Sequence, residues 1–227
     1  MPIVVYQPGK VGSQAIAKTL NDMGKKVYHA HYIYNIAGEY SSAANYKLKK
    51  TLSELNQPLQ IVTPIREPIA RNLSAYFWSL PKDAKYTPDI YKHQFINNYQ
   101  HEWLLNWFDH EFNNLFEMDI YELAFNQHRG YSIYEGMWNK QPLSILIVQQ
   151  EKLMFNFKEI LVRFFHTDAY PVVPRVNETK QWFYKDFKCW LKLPEDFLEK
   201  IYTSKYARHF YGEHDITHFK NKWRELA

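Results

Sequence analysis

Four consecutive apolar residues, Ile3-Val4-Val5-Tyr6, run straight into Gln7-Pro8-Gly9. A run that short, stopped by Pro and Gly, fits a buried strand that ends in a tight loop, with a helix to follow. The same theme recurs along the chain.

Ser13 is placed to cap the first helix, with Ala15, Ile16, Leu20 and Met23 as its inward stripe and Gly24 as its stop. Lys26 to His31 reads as a second strand, Tyr46 to Leu55 as part of a second helix, and Leu59 to Pro64 as a third strand centred on Ile61 and Val62. Pro68 suits the first turn of a helix reaching about Trp78, and Pro81 and Pro88 bracket the next loop. From Ile90 to Phe116, Phe95, Ile96, Tyr99, Trp103, Leu104, Trp107, Phe108 and Phe112 keep a helical spacing that predicts one long helical stretch. Ser144-Ile145-Leu146-Ile147-Val148 is the clearest buried strand, followed by a returning helix from Glu151 to Phe165. Pro171 and Pro174 mark a loop, and helical segments from about Gln181 and Pro194 carry the chain toward Gly212. No repeat, linker or composition shift divides residues 1–227, which reads as a single domain. Strands alternating with helices predict a three-layer α/β/α domain with a mostly parallel sheet and right-handed crossovers. Ligands of such sheets sit beyond the carboxyl ends of the strands.

Composition narrows the function classes. The 227 residues carry 28 Lys plus Arg against 24 Asp plus Glu, a surplus of four that is too small to imply a nucleic-acid partner but compatible with a local anion pocket. With 46% apolar and 23% charged residues the chain is a folded globule. Cys189 is the single cysteine, so neither a disulfide framework nor a thiolate metal cluster is expected, and the thiol itself reads as inert and partly buried. No stretch has the length of a membrane span and no basic leader precedes the first strand, so the expected location is cytoplasmic.

Gln7-Pro8-Gly9-Lys10-Val11-Gly12-Ser13-Gln14 joins the first strand to the first helix, so loop amides, the Lys10 charge and the Ser13 hydroxyl can converge on an anion. It is not a Walker A loop, because Lys10 comes two residues before Gly12 instead of directly after it. Strand three ends in Thr63-Pro64-Ile65-Arg66-Glu67-Pro68. Arg66 leaves the strand where ligands bind, and Ser74, eight residues on, lies about two turns into the next helix. An Arg fork plus a hydroxyl suits a second phosphate, whereas the plain alternative pairs Arg66 with Glu67.

This pair of loops resembles that of sulfotransferases using 3′-phosphoadenosine-5′-phosphosulfate (PAPS). The resemblance implies that Gly9, Lys10, Val11, Gly12, Ser13 and Gln14 surround the 5′-phosphosulfate and that Arg66 with Ser74 grips the 3′-phosphate. It also implies the P-loop-like fold of that family; no metal is expected, because the protein's own cations meet the anion and no third ligand accompanies His29 and His31. The order of elements to about residue 165, including Ile145 through Leu153, resembles the same family. Tyr206-Ala207-Arg208-His209-Phe210-Tyr211 through Asn221-Lys222-Trp223 further resembles capsular polysaccharide synthesis proteins.

Tyr28-His29-Ala30-His31-Tyr32 ends the second strand, and residues two apart on a strand share a face, so both imidazoles can point into one cleft. A neutral imidazole can remove a hydroxyl proton. The segment is similar to a Tyr-His-Gly-His stretch of uronyl 2-O-sulfotransferases, which implies His31 as base and His29 as an auxiliary; two hydrogen-bonded structural histidines are the competing reading. Arg175 and Asn177 lie where related enzymes fold a loop over the cofactor or acceptor. Asp119 and Glu122 are candidates for sugar hydroxyls or plain solvated acids near a turn, while Trp103, Trp107 and Phe108, at helical spacing, read as core in preference to a sugar platform. The expectation is a PAPS-dependent transferase acting on a carbohydrate hydroxyl. A non-catalytic glycan-binding or assembly protein on the same scaffold stays open. A magnesium-dependent P-loop kinase is disfavoured by the displaced lysine and by the lack of an apolar strand ending in Asp.

Overall fold

Side-chain alternation along the strands divides the apolar core in two. Val4, Tyr6, Ile61, Ile65, Ile145 and Ile147 point into one cluster, whereas Ile3, Val5, Val62, Leu146 and Val148 point into the other. Helices must therefore cover both faces of the sheet. The structure is a computed structural model that describes residues 1–34, 43–54, 56–81, 83–168 and 183–224.

Strands β1 (Ile3–Tyr6), β2 (Val27–Ala30), β3 (Leu59–Ile65), β4 (Tyr131–Trp138) and β5 (Gln141–Gln149) form one sheet in the order β2-β1-β3-β5-β4. All neighbours are parallel except the edge pair β4 and β5. The protein is thus α/β with a mostly parallel sheet. Helices α1 (Ser13–Asp22), α2 (Ala43–Ser53), α3 (Pro68–Ser79), α4 (Pro88–Asn97), α5 (Glu102–Leu105), α6 (Trp107–Phe116), α7 (Gln150–Arg163), α8 (Tyr184–Trp190), α9 (Glu195–Tyr202), α10 (Lys205–Phe210) and α11 (Glu213–Trp223) follow in chain order, with a 3-10 turn at Ile120–Glu122. Helices α1 and α7 supply Ile16, Leu20, Phe157 and Ile160 to one cluster. The opposite face is larger and takes α3, α6 and the C-terminal helices through residues such as Phe77, Phe112, Tyr206, Phe210 and Trp223. Aromatic rings interlock there: Tyr6 meets Trp107 edge-on at 5.1 Å, and Phe108 meets Phe210 at 5.0 Å.

Two expectations are corrected and one strand is added. The stretch from Ile90 to Phe116 is three short helices, not one. Asn98 ends α4, and buried His101 holds the turn by donating from Nε2 to the Phe95 carbonyl at 2.6 Å while Asn72 contacts its Nδ1 at 3.2 Å. Side-chain bonds replace the helical ladder there, yet all three helices still face the same core, which is why the apolar spacing persists. Secondly, Ser13 does not cap α1. Gly12 occupies the capping position with φ +80, and Ser13 is the first helical residue. Thirdly, β4 has no counterpart in the sequence reading. It joins β5 through Asn139 and Lys140, both at positive φ, a two-residue turn whose twist suits a hairpin. The segments expected from about Gln181 and Pro194 are α8, starting at Tyr184, and α9 with α10. Among the described residues no helix is long and apolar enough to cross a membrane.

Candidate active site

The chain leaves β1 toward β2 on one side and later returns to place β3 on the other side of β1. That reversal opens a crevice beyond the carboxyl ends of β1 and β3, the usual ligand position of such sheets. Gln7 to Gln14 forms one wall and Arg66 to Ser74 another.

In the first loop Gly9, Lys10 and Gly12 have φ of +81, +60 and +80. Glycine adopts this left-handed region freely, but Lys10 does so under strain. Two guanidinium groups hold the loop from behind: Arg66 Nη1 donates to the Lys10 carbonyl at 3.0 Å, and Arg71 Nε donates to the Gly9 carbonyl at 3.0 Å while its Nη2 reaches the Pro8 carbonyl. Beyond the loop comes the start of α1, where the positive end of the helix dipole favours an anion.

A cleft of about 1500 Å³ opens over this loop. Six cationic side chains line it, namely Lys10, Arg66, Arg71, Lys185, Lys188 and Lys222, and no Asp or Glu is among the described lining residues. Arg71 is 5% exposed and its partners are carbonyls, Asn72 and the Tyr99 hydroxyl. Burying a cation without a carboxylate is costly, so its charge acts on the cleft. Burial, then Arg66 and Arg71, lower the Lys10 pKa. Burial, then Lys222 and Arg66, do the same to Lys188. The cations repel one another, and a polyanion relieves that repulsion.

Glu67 does not neutralise Arg66. It is 2% exposed and accepts the Ile69 and Ala70 amides at 2.8 Å each, capping α3. Its remaining lone pairs take the Tyr202 hydroxyl at 2.6 Å and the Trp223 indole at 3.3 Å. The Tyr206 hydroxyl donates to the Arg66 carbonyl at 2.9 Å, which fixes the backbone where Arg66 leaves the strand.

His31 lies one residue beyond β2 and lines the cleft; the Trp107 indole donates to its carbonyl at 2.9 Å. Gln7 is fully buried and bridges loop and histidine. Its Oε1 accepts the Gly9 amide at 2.6 Å, and its Nε2 faces the Ala30 carbonyl at 3.4 Å and His31 Nδ1. With the amide so oriented, Nδ1 accepts and the neutral ring carries its proton on Nε2. Partial burial, then His29, Arg71 and Lys10, lower the His31 pKa to about 4, so the ring is neutral near pH 7 although its open side faces solvent.

Other expected residues divide. Gly9, Gly12, Ser13, Gln14, Arg66 and Ser74 line the cleft with Lys10 and His31. The Val11 side chain is fully buried and does not line it, leaving only its backbone to meet a ligand. His29 packs edge-on to His31 at 4.9 Å but bonds Ser13 Oγ at 2.9 Å and does not line the cleft. Asp119 caps the 3-10 turn through the Tyr121 amide and pairs with Lys205. Cys189 is exposed on the cleft wall instead of partly buried, and Trp103 also lines the cleft, whereas Trp107 and Phe108 are core. Arg175 and Asn177 fall outside the described residues. The sequence reading passed over Arg71, although it lies three residues before Ser74 and so shares its helical face. Lys188 and Lys222 carry no local signal, since only the tertiary fold brings them to Arg66.

A family model described as NKWYS, "putative capsular polysaccharide synthesis protein", matches residues 67–212. The chain belongs to this family. The match takes in α3 with Arg71 and Ser74, the Tyr99 to Trp103 wall, and Lys188; Lys10, His31, Arg66 and Lys222 lie outside it. Comparisons of this capsular-synthesis family member with curated proteins and with solved structures gave no match.

Proposed function

We propose that this member of the capsular polysaccharide synthesis family is a sulfotransferase that moves a sulfuryl group from PAPS to a carbohydrate hydroxyl. The observation that carries the reading is the cleft at the β1/β3 reversal, lined by six cations and no described carboxylate. PAPS supplies an activated sulfuryl group on a nucleotide with anionic groups at both its 5′ and 3′ ends. The residues present fit both ends. The left-handed loop, Lys10 and the start of α1 suit the 5′ side, and Arg66, Ser74, Lys188 and Lys222 suit the 3′-phosphate.

The acceptor hydroxyl attacks sulfur while the bond from sulfur to the 5′-phosphate oxygen breaks. Lys10 and the loop amides stabilise the charge left on that oxygen. His31 takes the acceptor proton at Nε2 once the Gln7 amide turns its oxygen toward Nδ1. Because the described lining offers no carboxylate, a magnesium nucleotide would meet no Asp of the kind P-loop kinases use. A second reading, a glycan-binding protein on the same scaffold, is favoured by the Gln7 contact that keeps the His31 proton on Nε2.

Thermal shift with 3′-phosphoadenosine-5′-phosphate (PAP) against ATP and magnesium tests the nucleotide, because a ligand of the native state raises apparent stability. Stabilisation by ATP with magnesium alone overturns the proposal. Transfer from labelled PAPS to a glycan panel then separates enzyme from binding protein.

A further inference from the structure

A second groove, about 870 Å³, lies beside the cationic cleft and shares Tyr99, Gln100 and Trp103 with it. Its volume falls in the range of small-molecule sites. Its floor and walls come from the end of α4, from α5, from the start of α6 and from α9, and its chemistry differs sharply from that of the cleft. Phe197 and Trp103 give it aromatic faces, and Asn97, Gln100 and Asn106 give it amides. Its charges are internally engaged: Glu102 pairs with Lys200 at 2.8 Å, and Asp196 accepts the Phe197 amide at 2.9 Å.

The connection to the reacting end is an aromatic pair. Tyr32, directly after His31, is 44% exposed and meets Trp103 edge-on at 5.7 Å. Trp103 therefore lines both hollows and packs on the residue that follows the histidine. Arg71 lies over the Trp103 ring at 5.5 Å, so the indole also marks where the cationic field begins.

We propose that this second groove holds an uncharged stretch of the acceptor polysaccharide, with the reacting sugar on Tyr32 and Trp103 and the preceding units running past Gln100 toward Asn106 and His110. A pyranose presents an apolar C–H face and a rim of hydroxyls. Aromatic faces suit the first, and amides, each both donor and acceptor, suit the second. Electrostatics select against a polyanion in this groove, because it contributes one lysine against two acids, in contrast to the six cations next door. The substrate class is then a neutral glycan chain bound across several units, not a lone phenol or monosaccharide. This rests on the proposed transfer reaction for its direction, but the binding it asserts is measured without turnover.

The test uses an immobilised array of neutral and uronate-containing hexasaccharides, read with wild-type protein and with His110→Trp and Asn97→Trp. Both positions are exposed and line only the second groove, so an added indole blocks it without touching the cleft. The expected result is binding to neutral hexasaccharides that falls about tenfold or more in both variants, while the thermal shift with PAP is unchanged. Binding confined to uronate chains, binding indifferent to both indoles, or no hexasaccharide binding overturns the groove. Loss of the PAP shift in the wild type, with variant-sensitive glycan binding retained, instead overturns the nucleotide reading and leaves the groove standing.

Discussion

The Gln7 side chain joins the first loop to His31: its oxygen accepts the Gly9 amide and its nitrogen faces His31 Nδ1. With its oxygen turned to Gly9, the amide offers Nδ1 only its N–H, so the loop and the imidazole tautomer are coupled. The unliganded protein should show the Nε2–H tautomer of His31 by nitrogen NMR. In Gln7→Glu one carboxylate oxygen takes the Gly9 amide and the other accepts from Nδ1–H, which should invert the tautomer and raise the His31 pKa. An Nδ1–H tautomer in the wild type would remove the coupling.

Lys10 is strained and repelled at once. Its φ is +60, and burial, Arg66 and Arg71 all lower its pKa. Lys10→Asn removes the charge with a residue that tolerates left-handed backbone. Its melting temperature should equal or exceed that of the wild type, while PAP affinity falls by about tenfold or more, the loss expected for a charge-assisted contact. Affinity equal to the wild type would show that the lysine does not meet the anion.

His31 also sets a pH dependence. Its pKa is about 4 in the folded chain, through burial first and then His29, Arg71 and Lys10, against about 6.5 unfolded. The unfolded state therefore binds more protons between these values. Any stability gained from the neutral ring is complete above about pH 6.5 and is lost as pH falls toward about 4. Denaturation midpoints from pH 7.5 to 4.5 should fall more steeply for the wild type than for His31→Gln. Parallel curves would mean that the ring titrates normally.

Glu67 ties the site to the C-terminal helices. Its buried carboxylate accepts from two amides of α3, from Tyr202 and from Trp223. Glu67→Ala leaves those donors unpaired and should cost roughly 3 kcal/mol, the sum expected from several charge-assisted bonds and a lost cap. Urea denaturation measures it, and a loss below about 1 kcal/mol would assign the helix contacts to packing alone.

Local chemistry explains what was legible in the sequence. The runs around Val4, Ile61 and Leu146 are apolar because both sheet faces are covered, and Gly9 and Gly12 announce a left-handed loop directly. Ser74 at two turns from Arg66 is likewise a matter of helical geometry. Tyr131 to Trp138 was hidden because that edge strand is only half-buried, with an exposed end at Glu135 to Met137, and lacks a continuous apolar run. The breaks at Asn98 and Asn106 were masked by aromatic spacing that three short helices share. Arg71 and Lys188 carry no such signal, and Trp103 reads as core, because their meaning depends on what the fold brings beside them: loop carbonyls, Lys222 with Arg66, and Tyr32.

Lys188 and Lys222 provide the last discrimination. Both line the cleft, and the Lys188 pKa is lowered by burial first, then by Lys222 and Arg66, so these three cations share one region of the cleft, with Arg66 linking it to the first loop. A second phosphate relieves their repulsion, and a nucleotide lacking one does not. Replacing both lysines with Met should therefore weaken PAP by about tenfold or more while leaving adenosine 5′-phosphate nearly unaffected, since the proposed function assigns the 5′ end to Lys10 and the loop. Salt should also weaken PAP more than the monophosphate in the wild type, and this difference should shrink in the double variant. Equal losses for the two nucleotides would place both lysines in the general field of the cleft and detach them from the 3′ end.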